Sequence, residues 1–253
     1  MPQLPYLDAH SMPAVDRSYV DIDPNRGYNP DFPGKGDVPV MAKTPTSATQ
    51  GNDDDRDAKR LAILKAAAAF FNSRGFHSTS MSDVANALGV SKPFLYYYLK
   101  DKEDLIFQCS KLATEELHTL LDDVRAAEVS GWQRLEMLFR RYAHVMTTDF
   151  GICLIRSTAP GAMTTESREQ LWKGRRRLNR EVERIVAEGI ADGSIRSCDP
   201  RMLSFAMFGA FNWLSYWYDP DGRQSPEMIA EHFLEYFSRG VEMKAGSDPD
   251  ARS

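Results

Sequence analysis

Apolar residues recur every three or four positions along this chain from residue 57 onward, and the stripes they form predict helices. Leu64, Ala67 and Phe71, widened by Ile63 and Phe70, mark one over 57–73; Gly75 stops it and Phe76 is expected in the core. Met81, Val84, Ala85 and Leu88 mark a second, opened by Ser80 and Asp83 at capping-box spacing. Gly89 then stands where a helix end favours positive φ, and Val90 plugs the gap to the next element. Ser91 caps a third helix with Pro93 in its first turn, and Leu95 and Leu99 face inward at i and i+4.

A fourth helix is predicted from 101 or 102 to about 127, carrying Leu105, Ile106, Leu112, Leu117 and Leu120 or Leu121. A fifth follows Gly131 with Trp132, Leu135, Leu138, Phe139, Tyr142 and Val145, then a break around 149–151 and a short apolar piece at 152–155. Ala159-Pro160-Gly161 reads as a loop, and helices over 165–193, 200–218 and 225–243 complete the pattern. No convincing strand interrupts them, so the fold class is all-α.

The pair of short helices between Ser80 and Leu99 has the form of a helix-turn-helix. On spacing alone it fits a DNA-binding unit and an ordinary αα-hairpin of a bundle equally. The outward face of its second helix favours DNA. Lys92, Phe94, Tyr96, Tyr97 and Tyr98 are basic or large aromatic groups where a solvated face normally carries Glu, Lys or Gln. Such side chains suit grooves and phosphates. Charge agrees: the chain is −5 overall, yet residues 57–102 hold seven Lys and Arg against three Asp and Glu. A basic head on an acidic body confines nucleic-acid affinity to one end.

The run 76–105, with TSMSDVA, LGVS and LYYYLKDKEDL in order, resembles the N-terminal domain of the TetR family of bacterial transcriptional regulators. With the helix before it and the helical remainder after it, the resemblance extends over about four fifths of the chain. It implies a three-helix helix-turn-helix DNA-binding domain at 56–101 and a helical-bundle ligand-binding and dimerisation domain at 102–243, while the proline-rich, aperiodic stretch 1–55 reads as a disordered arm and 244–253 as a flexible tail. It implies further that Ser91, Lys92, Pro93, Phe94 and Tyr96 approach base edges while Ser80, Ser82, Tyr97, Tyr98 and Lys102 hold phosphates. Two positions depart from the family: Tyr98 stands where His is frequent, and Phe94 where a small residue is. Phe94 donates no hydrogen bond and is expected to read a thymine methyl or to pack.

The C-terminal half is rich in aromatic and methionine side chains. Phe139, Tyr142, Met146 and Phe208 are candidates for lining an apolar ligand cavity, with ordinary core as the plainer alternative. Phe211, Leu214, Trp217, Phe233, Tyr236 and Phe237, on the last two helices, offer more apolar surface than one subunit buries, which predicts a homodimer. Two heads ~34 Å apart read a palindrome in successive major grooves. Arg168, Trp172 and Arg176 share a face at i, i+4 and i+8. They form either a solvated basic stripe or an edge that grips phosphate and stacks adenine. The segment 209–241 resembles TetR regulators that respond to acyl-CoA thioesters in fatty-acid, aromatic-acid or steroid-ring degradation.

Other chemistry finds no foothold. GxSxG, HExxH, Walker and GxGxxG motifs are absent, and the five histidines show no ligand spacing, so neither an enzyme nor a metal site nor a cofactor is expected. Cys109, Cys153 and Cys198 form no CxxC pair and read as free thiols. With no apolar run of roughly 18 residues and no basic-then-apolar leader, no membrane association is expected, and a cytoplasmic protein is. Residues 1–55 hold eight of the fourteen prolines, and Met41 is a candidate alternative start.

The reading is therefore of a repressor that leaves a pseudo-palindromic double-stranded DNA operator when a small-molecule effector, an acyl-CoA, binds. Its rivals are an efflux or stress regulator with an uncharged hydrophobic effector, and a ligand-binding helical protein without DNA binding.

Overall fold

The computed structural model describes residues 53–75, 78–156 and 163–239, and these form nine helices and no strand. They are α1 (Asp53–Arg74), α2 (Met81–Ala87), α3 (Lys92–Tyr98), α4 (Lys102–Ala126), α5 (Gly131–Thr147), α6 (Asp149–Arg156), α7 (Thr165–Ala191), α8 (Pro200–Trp217) and α9 (Pro226–Arg239). Residues 1–52, Phe76, the 159–161 loop and the tail from 240 lie outside the described residues.

Local chemistry sets most boundaries. Ser80 and Asp83 close a reciprocal capping box at the start of α2, and Gly89 takes φ 64° after it. Ser91 accepts from the Phe94 amide at 3.3 Å to open α3. Asp101, Ser130, Thr164 and Asp199 cap α4, α5, α7 and α8 in the same way.

The expected break at 149–151 is displaced. It falls at Thr148, which is extended, while Asp149 already begins α6. Thr148 Oγ1 accepts from the Gly151 amide at 3.2 Å. A Cβ on Gly151 would lie 1.9 Å from Val145 O, so α6 leaves α5 at a corner that only glycine allows. The residue read as a helix breaker is inside a helix, and what it permits is close approach. The first helix also begins at Asp53 rather than at 57.

Two cores result. Ile63, Leu64, Ala67, Phe71, Met81, Val84, Leu88, Leu95 and Leu99 pack the N-terminal unit, joined by Leu105 and Cys109 of α4 and Cys153 of α6. Each such Leu or Phe contributes about 1.5–3 kcal/mol on full burial. The larger core draws on α4–α9, including Leu121, Leu138, Phe139, Met146, Leu154, Ile185, Met207 and Phe211. Helix α4 therefore belongs to both. No helix among the described residues is long and apolar enough to cross a membrane.

Candidate DNA-binding face and effector cavity

Helix α3 buries Leu95, sets Tyr98 partly against the core and turns the rest outward. Phe94, Tyr96 and Tyr97 are 38%, 50% and 64% exposed, and Ser91, Lys92 and Pro93 are exposed beside them. Tyr98 is half-buried, with its ring 5.3 Å from that of Phe94 and 5.0 Å from that of Tyr97. Thus Phe94 packs along its own helix edge while still facing outward. The Arg56 guanidinium lies 5.5 Å over the Tyr97 ring, a neighbour the sequence reading lacked because it began α1 too late.

The phosphate candidates divide. Ser82 is half-buried on α2. Ser80 serves the cap: its hydroxyl donates to Asp83 Oδ2 at 2.6 Å, and its amide donates to the same oxygen at 2.8 Å. Lys102 lies in the first turn of α4, 5.8 Å over the Phe71 ring, and burial pulls its pKa down.

A cavity of about 370 Å3, within the usual range of small-molecule sites, lies among α4–α8. Leu117, Tyr142, Leu154, Ile155, Leu178, Phe205 and Phe208 form its apolar wall, and Thr114, His118, Arg175, Asn179 and Asn212 its polar part. Tyr142 and Phe208, two of the candidates, line it. Phe139 and Met146 do not: they are fully buried, with the Phe139 ring packed at a steep tilt behind Tyr142 and Phe208 at 5.7 and 5.3 Å. The Tyr142 hydroxyl donates to Asn212 Oδ1 at 2.6 Å, and burial holds its pKa well above the usual range.

Thr114, His118 and Gly174 also border a second, outer cleft lined by Phe107, Lys111, Glu115, Gln170, Leu171, Lys173 and Arg177. Gly174 makes this shared waist: a Cβ there would lie 2.7 Å from the Thr114 methyl. Lys111 pairs with Glu115 and Arg177 with Asp122, at 3.5 and 3.7 Å and both exposed, so neither pair is costly to exchange.

Of the basic residues of α7, those that border the two chambers are Arg175, Lys173 and Arg177, not the expected Arg168 and Arg176. Arg168 donates to Met163 O at 3.1 Å, Trp172 is 48% exposed, Arg176 is exposed, and none of the three borders either chamber. A sequence signal for Arg175 existed. It follows Leu171 by four residues and precedes Leu178 by three, on the stripe that continues through Val182 and Ile185 into the core.

Helix α6 ties this cavity to the DNA-binding unit. Arg175 Nη2 donates to Leu154 O at 2.5 Å. Arg156 donates to Asn72 O on α1 at 3.1 Å and to Ser215 O on α8 at 3.0 Å. Asn72 Nδ2 in turn donates to Asp149 O and Oδ1, both at 3.0 Å. A second tie joins α7 to the first turn of α4, where Glu103 Oε1 accepts from the Thr164 amide at 2.6 Å and draws the Glu103 pKa down.

On α8 and α9 the unpartnered surface is not wholly where the pattern put it. Phe211 and Leu214 are fully buried within their own subunit, and Phe233 and Phe237 pack half-buried against its core. Trp217 and Tyr236 are exposed, joined by Met202, Phe205, Trp213, Tyr216 and Met228. Trp213 and Tyr216 stack at 4.9 Å.

Comparison with known proteins gives the same architecture. Residues 63–109 match the family described as bacterial regulatory proteins, tetR family, and residues 128–241 match the tetracyclin repressor-like C-terminal domain. The HTH-type transcriptional repressor KstR2 of Rhodococcus jostii (strain RHA1) is 24% identical over 79% of this chain and 98% of its own. The crystal structure of the TetR family regulator PfmR from Thermus thermophilus superposes with a TM-score of 0.67 at 26% identity, over 72% of this chain and 99% of that one. AibR in complex with isovaleryl coenzyme A and operator DNA superposes with a TM-score of 0.63 at 26% identity, over 70% and 96%. With both its head and its ligand domain matched, and its all-helical fold shared along nearly the full length of these regulators, the chain belongs to the TetR family of DNA-binding transcriptional regulators.

Proposed function

We propose that this protein is a homodimeric repressor in the bacterial cytoplasm, bound through α3 to a pseudo-palindromic operator on the nucleoid and released by an acyl-CoA thioester. The observation that carries the effector is a pair of adjacent chambers that share Thr114, His118 and Gly174: an apolar one sized for an acyl group, and an outer one whose lining carries Lys111, Lys173 and Arg177 with one carboxylate, Glu115. An acyl chain gains by leaving water, and the cations suit the phosphates of the CoA moiety. Names among the relatives agree: one is a repressor, another a fatty acid metabolism regulator, and AibR was crystallised with isovaleryl coenzyme A.

Release follows if the ligand favours one spacing of the heads. A thioester in the inner chamber presses on Leu154 and Ile155 of α6 and on α4, the elements bonded to the DNA-binding unit. The test is calorimetry with acyl-CoAs, each set against its free acid and against CoA alone. Tight binding of a thioester, weakened when Lys173 and Arg177 become Ala, is the expected result. Equal affinity for thioester and free CoA, or binding of free apolar compounds alone, would sink the reading. The DNA face is tested on operator duplexes selected from random sequence. Lys92→Ala with Tyr97→Ala should weaken binding and reduce the salt slope by about one for the lost Lys92 charge, and unchanged operator affinity and salt slope would remove the DNA assignment.

A further inference from the structure

The inner chamber holds a positive charge that no lining residue answers. Of the residues that border it none is acidic. Arg175 is half-buried there, and its one hydrogen bond among the described residues goes to a neutral acceptor, Leu154 O. A guanidinium has five N–H donors, so most of its capacity is unused. Nearby, His118 Nε2 is sealed from solvent and makes no hydrogen bond among the described residues.

Elsewhere the protein treats buried charge differently. Glu181 is buried and is held by both Arg125 and Arg184. Burying an unpaired charge is costly, and an uncharged effector would seal Arg175 from water without compensation. Desolvation already pulls the Arg175 pKa down, and the Tyr142 and Tyr216 hydroxyls oppose this only in part.

We propose that the acyl group of the effector ends in a carboxylate that pairs with Arg175, so that the effector is a CoA thioester of a dicarboxylic acid. This rests on the acyl-CoA reading above and narrows it. The thioester end lies toward the waist at Thr114, His118 and Gly174, and the free carboxylate meets Arg175 beyond it. A carboxylate accepts two parallel N–H bonds from a guanidinium, a geometry that a backbone carbonyl cannot match. Bidentate pairing along the guanidinium edge that carries Nη2 competes with Leu154 O for Arg175 and so loosens the bond that holds α6 against α7. The carboxylate is thus both the recognition element and the trigger.

The experiment measures calorimetric affinities of the full-length protein for glutaryl-, adipoyl- and suberoyl-CoA against pentanoyl-, hexanoyl- and octanoyl-CoA, with the free mono- and dicarboxylic acids and CoA alone. At the best chain length the carboxylated thioester should bind about ten-fold or more tighter than its plain counterpart. Arg175→Met should abolish that preference while keeping or improving binding of the plain thioester, which also shows that the variant is folded. Plain thioesters binding as well as carboxylated ones at every length overturns this proposal and leaves the acyl-CoA reading standing. Binding of free acids with no thioester binding overturns both. If Arg175→Met does not fold, the comparison of ligands on the unaltered protein decides.

Discussion

Glu181 lies on α7 with Oε2 at 2.5 Å from Arg125 of α4 and Oε1 at 2.5 Å from Arg184, and these bonds draw its pKa down to about 2. A carboxyl group whose folded pKa is depressed from 4.5 stabilises the fold above that pH and loses its effect as pH falls toward 2. Glu181→Gln should therefore cost about 1–2 kcal/mol at neutral pH, a modest figure because both arginines are partly solvated. In denaturant titrations the gap between variant and parent should close progressively as pH falls below 4.5. A gap that stays constant with pH would show that the pair is not the source. Gly131 and Gly189 make a different demand: a Cβ on Gly131 would lie 2.3 Å from Gly189 Cα, so the start of α5 and the end of α7 touch backbone to backbone.

Among the elements α6 has the most to transmit for its length. It borders the cavity through Leu154 and Ile155 and meets α1 through Asn72, Asp149 and Arg156. Asn72→Ala removes the side-chain bonds to Asp149 but leaves both the α3 face and the chambers intact. Operator affinity without effector should change little, while the weakening caused by effector should shrink by about 1 kcal/mol, or ~5-fold. Anisotropy titrations with and without a bound acyl-CoA measure both, and an undiminished effect would move the coupling to the Glu103–Thr164 tie. Gly151→Ala forces α6 away from Val145 O, and differential scanning should show a loss of about 1–3 kcal/mol. The helices themselves were legible in sequence because caps and 3.6-residue stripes are local. The α5–α6 corner was not, since a glycine that breaks a helix and one that lets two helices touch look alike without the partner.

At the scale of the molecule, the proposed homodimer would let the exposed stripe of α8 decide whether one head or two meet the operator. Met202, Phe205, Gly209, Trp213 and Tyr216 recur every three or four residues along it, and the proposed homodimer covers this face. Trp213→Asp should raise the dimer dissociation constant by about 100-fold, read by analytical ultracentrifugation. The monomer should keep its fold, because Phe211 and Leu214 fill the core from the opposite side. Its operator affinity should fall with dimerisation, since a single recognition helix spans one half-site. A variant that stays dimeric would place the interface elsewhere.

What the sequence determined by itself is whatever depends on near neighbours in the chain: the capped pair α2 and α3, the outward aromatic face at Tyr96 and Tyr97, and an all-helical body. What the tertiary structure decided is which side of each long helix meets which partner. Successive residues on a helix point about 100° apart, so Arg175 enters the chamber while Arg176 stays in solvent, and Leu214 packs inside while Trp213 stays outside. Both choices rest on side chains from α4, α5 and α6, distant in sequence, that close around one face and leave the other to water or to a second subunit.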